Sequence, residues 1–297
     1  MTRPCPLCEG ARARSWMPRT APTPLGADDV RITDARYGVT LALVRCDACG
    51  FVYAADDDLE RLPALYAALD DPTYADQAPP RQRQMAWLLA RVARHRPAAR
   101  SLLDVGAGTG FLVEAAARRG WEGIGVEPSA PLAARARASG RPVLAGGLPH
   151  PALGARRFDV VTLVDVVEHV ADPVTLLRDA ARHLAPGGAL LVVTPDVAAW
   201  APRVLGARWW HYRIAHVGYF DRHTLRQLAT RAGLRVAAIA RPRWFLPIGY
   251  LAERLASYAG PFGAALRGIA RRLPDVALPF DPKDSLWVLC EHAAAHD

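Results

Sequence analysis

The 297-residue chain reads as a doubly wound α/β protein with a small cysteine-bearing module at its N-terminus. From Ser101 onward, apolar strand-like runs alternate with helical periodicity, which implies a mostly parallel sheet covered by helices on both faces. A glycine turn, Asp104-Val105-Gly106-Ala107-Gly108-Thr109-Gly110, closes the first of those runs. Four cysteines stand as two close pairs, Cys5-Pro6-Leu7-Cys8 and Cys46-Asp47-Ala48-Cys49.

The elements follow in order. Strand 101–105 leads through the turn into helix 110–119, then strand 121–126, helix 129–139 and strands 142–145 and 158–165. Helix 173–184, strand 188–194, helix 222–232 and strands 234–240 and 285–291 complete a seven-stranded set. Ahead of these, apolar spacing predicts a helix from Met85 to His95 and a strand from Val39 to Arg45. The chain divides into a cysteine module at 1–55, a connector with a lid helix at 56–100, and the α/β domain at 101–297. Two insertions enlarge that domain, 195–221 and 243–280.

Glycines at such a turn tolerate positive φ and let a ligand lie against the backbone, while the following helix start presents unpaired N–H groups. Glu127 ends the second strand, where an acid usually receives a ribose diol. Asp104 precedes the first glycine; a carboxylate there suits a cationic amino group and would gain nothing from a diphosphate. The D-x-G-x-G-x-G run resembles the first motif of class I S-adenosylmethionine-dependent methyltransferases. The likeness extends over about residues 100 to 240, through Phe158 to Val170 and Leu184 to Val193. It implies a Rossmann-like seven-stranded methyltransferase sheet with S-adenosylmethionine held by Asp104, Gly106, Gly108, Gly110, Glu127 and Asp165.

Four cysteines in two C-x-x-C knuckles fit a closed tetrahedral zinc site, so Cys5, Cys8, Cys46 and Cys49 are the expected ligands of a zinc ribbon. Disulfides are the alternative; Cys290, in an apolar run, reads as a small core residue.

For chemistry at the methyl acceptor, Asp165-Val166-Val167-Glu168-His169 ends the fourth strand. His169 can serve as a general base near neutral pH, with His211 and His216 as competitors. The run also resembles that of ubiquinone-biosynthesis O-methyltransferases, which implies a divalent ion at Asp165, Glu168 and His169. Tyr66 and Tyr74 of the connector are lid candidates. The aromatic residues of 195–221, from Trp200 through Trp209-Trp210-His211-Tyr212 to Tyr219-Phe220, are expected near the acceptor. Segment 243–272, with Trp244, Phe245, Tyr250, Leu251 and Leu255 ahead of Arg267, Arg271 and Arg272, is a candidate cover for a greasy acceptor or a peripheral membrane contact.

Composition restricts the partners. The net charge is +8, but Lys283 is the only lysine and the arginines are scattered, with no polybasic block. Nucleic acid is therefore not the expected partner. No apolar run reaches membrane-span length and Met1 to Trp16 lacks a secretion-signal centre, so a cytoplasmic enzyme is expected. The expected activity is methyl transfer to oxygen of a small or lipid-like acceptor. A sugar C-methyltransferase, which the start and Arg45 to Tyr53 resemble, and an RNA methyltransferase are alternatives. A non-catalytic zinc-ribbon interaction protein is the alternative outside enzymes.

Overall fold

The computed structural model describes residues 3–31, 36–71, 78–256, 258, 262–264, 268 and 276–293. Tyr74, Arg267, Arg271 and Arg272, and the side chains of Tyr250 and Leu255, lie outside what is described.

Before the α/β domain come β1 (Ala13–Met17), β2 (Leu43–Cys46) and β3 (Val52–Ala54), then α1 (Leu62–Ala67) and α2 (Ala78–His95). The expected strand 39–45 is thus shorter and later, and α2 starts seven residues before Met85. Its early start at Ala78 includes Pro79 and Pro80, residues compatible with a first turn that needs no N–H partner.

The domain proper runs β4 (Ser101–Val105), α3 (Phe111–Arg118), β5 (Glu122–Glu127), α4 (Ala130–Ala138) and β6 (Val143–Ala145). It continues with β7 (Phe158–Val164), α5 (Pro173–Arg182), β8 (Leu184–Pro195), α6 (Trp200–Leu205) and β9 (Gly218–Tyr219). Last come α7 (Arg222–Arg231), β10 (Leu234–Ala240), β11 (Trp244–Pro247), α8 (Ile248–Ala256), β12 (Ala277–Phe280) and β13 (Ser285–His292). Helix starts are fixed by local chemistry. Ser129, Asp172 and Asp221 each accept a backbone N–H of the first turn, satisfying donors that would otherwise be orphaned.

The main sheet has the order β10-β13-β8-β7-β4-β5-β6. Its strands are parallel except β13, which runs antiparallel between β8 and β10. The central strands are buried on both faces, which is why they read as continuous apolar runs. Strand order reverses at β4, so the crevice beyond the carboxyl ends of β4, β5 and β7 is the natural ligand position.

A second, antiparallel sheet has the order β1-β2-β3-β9. Its fourth strand comes from insertion 195–221, so the cysteine module and that insertion share one sheet. They share a core as well: Cys5, Leu7, Phe51 and Tyr53 pack with Leu163, Val174, Phe220 and Leu225. Insertion 243–280 forms the β11–β12 hairpin, and β11 lies against α2. No helix among the described residues is long and apolar enough to cross a membrane.

Candidate functional site

The crevice is built by the turn that joins β4 to α3. Gly106, Gly108 and Gly110 all take positive φ (74°, 54° and 80°). Gly106 has a second constraint, because a Cβ there would lie 2.6 Å from Val166 Cγ2. Glu127, at the end of β5, accepts from the Gly108 N–H through Oε2 (2.7 Å) and from the Ser129 N–H through Oε1 (2.8 Å). Burial raises its carboxyl above the ordinary range, and these two donors pull it back. Asp104 is buried and accepts the Thr162 hydroxyl at Oδ1 (2.7 Å). Burial pushes it up to about 7 against that hydrogen bond, with the charge of Glu127 adding to the rise. Two carboxyls thus flank a glycine turn at the carboxyl ends of adjacent parallel strands. The pair suits a ligand carrying both a cationic amino group and a diol.

The connector reaches this crevice from the other side. The Ser129 hydroxyl donates to the Leu69 carbonyl (2.6 Å), and Arg135 pairs with Asp70 (2.9 Å). Tyr66 of α1 places its hydroxyl 2.6 Å from His169 Nδ1 and 3.0 Å from the Ala215 carbonyl. The segment at 62–71 therefore bridges the end of β5 and the turn after β7.

Around that turn the expected residues separate. Asp165 adopts a left-handed backbone (φ 54°) and stays open to water. The protein mass around it nonetheless pushes its carboxyl up to about 6, opposed by His211, Arg81 and Arg213. Glu168 turns inward, accepting the Thr194 hydroxyl at Oε2 (2.9 Å), while its carbonyl accepts the Val217 N–H (2.7 Å). Burial, with Asp165 adding to it, drives the Glu168 carboxyl well above its usual range. His169 is pushed down to about 3 by burial, and His216 well below its ordinary value for the same reason. Donor atoms of Glu168, His169 and His216 lie within 4.8 Å of one another. The set expected to hold a divalent ion is therefore not assembled as read: His216 stands where Asp165 was expected. Asp165, at a left-handed backbone position, is not in that group.

His211 lies beside His216 with rings nearly parallel, 5.9 Å apart, and its Nε2 is 3.5 Å from Asp284 Oδ2. Asp284 escaped the sequence reading. It sits in Asp281-Pro282-Lys283-Asp284, a stretch that looks like a solvated turn, and nothing local signals its complete burial. The insertion's aromatic residues also differ from expectation. Trp209, Tyr212, Tyr219 and Phe220 are core, packed on one another and on the cysteine module, whereas Trp200 is exposed.

The four module sulfurs converge. Cys5 and Cys49 Sγ are 3.6 Å apart, Cys8 and Cys46 Sγ 3.5 Å, and all four lie within 4.8 Å. They are free thiols, not disulfides. A tetrahedral zinc ion with Zn–S of about 2.3 Å needs sulfurs about 3.8 Å apart, so the four thiols could hold one. The N–H groups of Leu7 and Cys8 face the Cys5 sulfur, and those of Ala48 and Cys49 face Cys46. Cys290 is a buried strand residue whose thiol burial pushes up to about 12.

A methyltransferase domain profile matches residues 78–239. A ubiquinone biosynthesis O-methyltransferase of Cereibacter sphaeroides is 40% identical over 118 residues, covering 36% of this chain and 47% of that protein. An uncharacterized methyltransferase of Mycobacterium sp. (strain JLS) is 38% identical over 127 residues, covering 42% and 47%. The chain thus spans about half the length of the curated relatives it matches. Among solved structures, a chain of the complex between the Haloferax volcanii Trm112 methyltransferase activator and a methyltransferase shares the fold. Its TM-score is 0.51 at 20% identity, with 75% of this chain and 97% of that one covered.

Proposed function

Because the chain belongs to the S-adenosylmethionine-dependent methyltransferase domain family, we propose that it transfers a methyl group to the oxygen of a small or lipid-like acceptor. The observation that carries the cofactor half is the pair of buried carboxyls, Asp104 and Glu127, set on either side of the Gly106–Gly110 turn. Asp104 would meet the ammonium of the cofactor and Glu127 its ribose hydroxyls, with Gly106 and Gly108 allowing close backbone approach. Asp165, open at the carboxyl end of β7, would border the amino-acid end of the ligand. When bound, S-adenosylmethionine supplies an already activated methyl group. The protein then has to align the acceptor oxygen with that carbon and receive one proton.

The oxygen reading of the acceptor is supported by the name of the Cereibacter relative and by three histidines near the turn after β7. A hard divalent ion is not part of this reading. Such ions favour several oxygen ligands, whereas the gathered set holds one carboxyl, whose charged form burial disfavours, and two imidazoles. No step is routed through one.

Cys5, Cys8, Cys46 and Cys49 would hold a structural zinc ion that ties the module to β9, and elemental analysis should find about one zinc per chain. Exposed Val276, Leu278 and Phe280 on and beside β12 favour a lipid-like acceptor or membrane surface as partner over nucleic acid. The test is calorimetry with S-adenosylhomocysteine, followed by mass spectrometry of products from alkylated catechols. Absence of binding removes the proposal. Binding with methylation only at carbon or nitrogen of other acceptors would overturn the oxygen assignment.

A further inference from the structure

We propose that His211 takes the proton of the acceptor hydroxyl and that Asp284 is the positioning residue that holds it for that task. The inference rests on the hydroxyl-acceptor reading above and asks which of three neighbouring histidines does the work.

One of them is committed elsewhere and another is shut in. His169 has its Nδ1 between the Tyr66 hydroxyl and the Ala215 carbonyl, at 2.6 Å and 3.0 Å. His216 is only 5% exposed. Burial lowers the proton affinity of both, which makes them weaker proton acceptors. The side chain of His211 is 21% exposed, so a small molecule can reach it, and it is the one with a carboxylate partner.

That carboxylate is set in a rigid wall. Asp284 is fully buried at the entry to β13, and its Oδ2 accepts the Trp209 indole N–H (3.1 Å) as well as facing His211 Nε2. Its carbonyl accepts the Asp196 N–H (2.8 Å). Asp196 is in turn clamped by Arg241 (2.7 Å), which also donates to the Ser285 carbonyl (3.0 Å). Three chain segments thus hold the residue, at its backbone carbonyl and at one carboxylate oxygen. Despite burial, the Asp284 carboxyl lies below its usual range because His211 and Trp209 favour its charged form. Its other oxygen, Oδ1, has no hydrogen-bond partner among the described residues. A buried anion aligned with one edge of an imidazole fixes the ring and stabilises its protonated form, as in hydrolase dyads. The 3.5 Å separation is long for a hydrogen bond, and such contacts tighten when substrate binds.

With Nε2 turned to Asp284, Nδ1 serves the acceptor. The acceptor oxygen forms a bond to the methyl carbon as the carbon–sulfur bond breaks and its electron pair leaves with sulfur. The hydroxyl proton passes to His211 Nδ1, and the resulting imidazolium is balanced by Asp284 until the proton leaves to solvent. The other titratable groups that interact with His211 are Asp165 at the end of β7, His169 in the next turn and His216 in its own insertion; Arg213 of that insertion acts on the same three groups.

The experiment uses the full chain saturated with S-adenosylhomocysteine and labelled with 15N-histidine. The pH titration of the His211 imidazole is followed by NMR in wild type, Asp284→Asn and Asp284→Glu, with His211→Gln giving the assignment. Loss of the partner charge should move the His211 midpoint down, and Asp284→Glu should restore most of it. With a 3-alkylcatechol as probe acceptor, His211→Gln should lower kcat about 10²–10⁴-fold. Asp284→Asn should lower kcat at least about tenfold and move the acid limb of the kcat profile to lower pH, with KM nearly unchanged. An unmoved His211 midpoint in Asp284→Asn that still binds S-adenosylhomocysteine would overturn the pairing. Wild-type kcat in His211→Gln would overturn the proton transfer. Failure of the wild-type chain to bind S-adenosylhomocysteine is a separate outcome and sinks the proposed function instead.

Discussion

Asp104 shows how one buried carboxyl can carry both a stability term and a binding term. Its proton is held more tightly in the folded chain than in the unfolded one, up to about 7. The ligand-free protein should therefore lose stability as pH rises from the ordinary carboxylate range through about 7. An ammonium group delivered beside the carboxylate reverses the preference. Affinity for S-adenosylhomocysteine should accordingly rise between about pH 6 and pH 8, with proton release detectable by calorimetry in buffers of different ionisation enthalpy. Asp104→Asn should abolish that release. Glu127→Ala removes an acceptor already aligned by the Gly108 and Ser129 N–H groups. It should weaken binding about 10- to 100-fold, the worth of about 1.5–3 kcal/mol for hydrogen bonds to a charged group. These two acids were legible in the sequence because strand, glycine turn and acid follow one another locally. Asp284 was not, because its partner His211 is 73 residues away along the chain; Tyr66 was readable as a lid candidate, but its contact with His169, 103 residues away, was not.

At the level of elements, the same contrast separates the two sheets. Strands β4, β5, β7 and β8 announce themselves through continuous apolar runs that only a doubly covered parallel sheet explains. β9 is two residues, Gly218 and Tyr219, and exists through its pairing with Val52 and Tyr53. No periodicity can reveal it. Its consequence is mechanical: Val217 receives the Ala54 N–H at its carbonyl and gives its own N–H to Glu168, so a single residue joins the cysteine module to the turn carrying His169. The aromatic residues read as an acceptor wall serve this junction, since Trp209, Tyr212 and Tyr219 fill the core beneath it. Removing a sulfur should thus be felt beyond the module. Cys49→Ser is expected to lower the zinc content and to drop Tm by about 5–10 °C in differential scanning calorimetry, the size of a 2–3 kcal/mol loss in a domain of this length. The glycine turn has its own test. Gly106→Ala adds a methyl group 2.6 Å from Val166 at φ 74°, and should destabilise the chain by about 1–3 kcal/mol in urea denaturation.

For the molecule as a whole, the question is where a lipid-like acceptor would approach. The body of the protein closes its apolar surface efficiently, because the module, the connector and insertion 195–221 bury one another's hydrophobic residues. The β11–β12 hairpin departs from that economy. Val276, Leu278 and Phe280 remain exposed, and Phe262 is three-quarters exposed. β11 is anchored by Trp244 against the core cluster that includes α2, so the apolar strand is presented from a fixed base. A net charge of +8, nearly all arginine, adds attraction for an anionic surface. Co-sedimentation with vesicles containing anionic lipid should therefore retain the protein at moderate salt. The double variant Leu278→Asp, Phe280→Asp should reduce the bound fraction more than tenfold, since burying each such side chain contributes about 1.5–3 kcal/mol. Affinity for S-adenosylhomocysteine should stay unchanged, because neither residue is among those assigned to the cofactor. Undiminished vesicle binding by the double variant would move the contact away from this hairpin. A steep loss with salt alone would assign the attraction to charge, and only the combined dependence fits an apolar strand resting in a lipid surface.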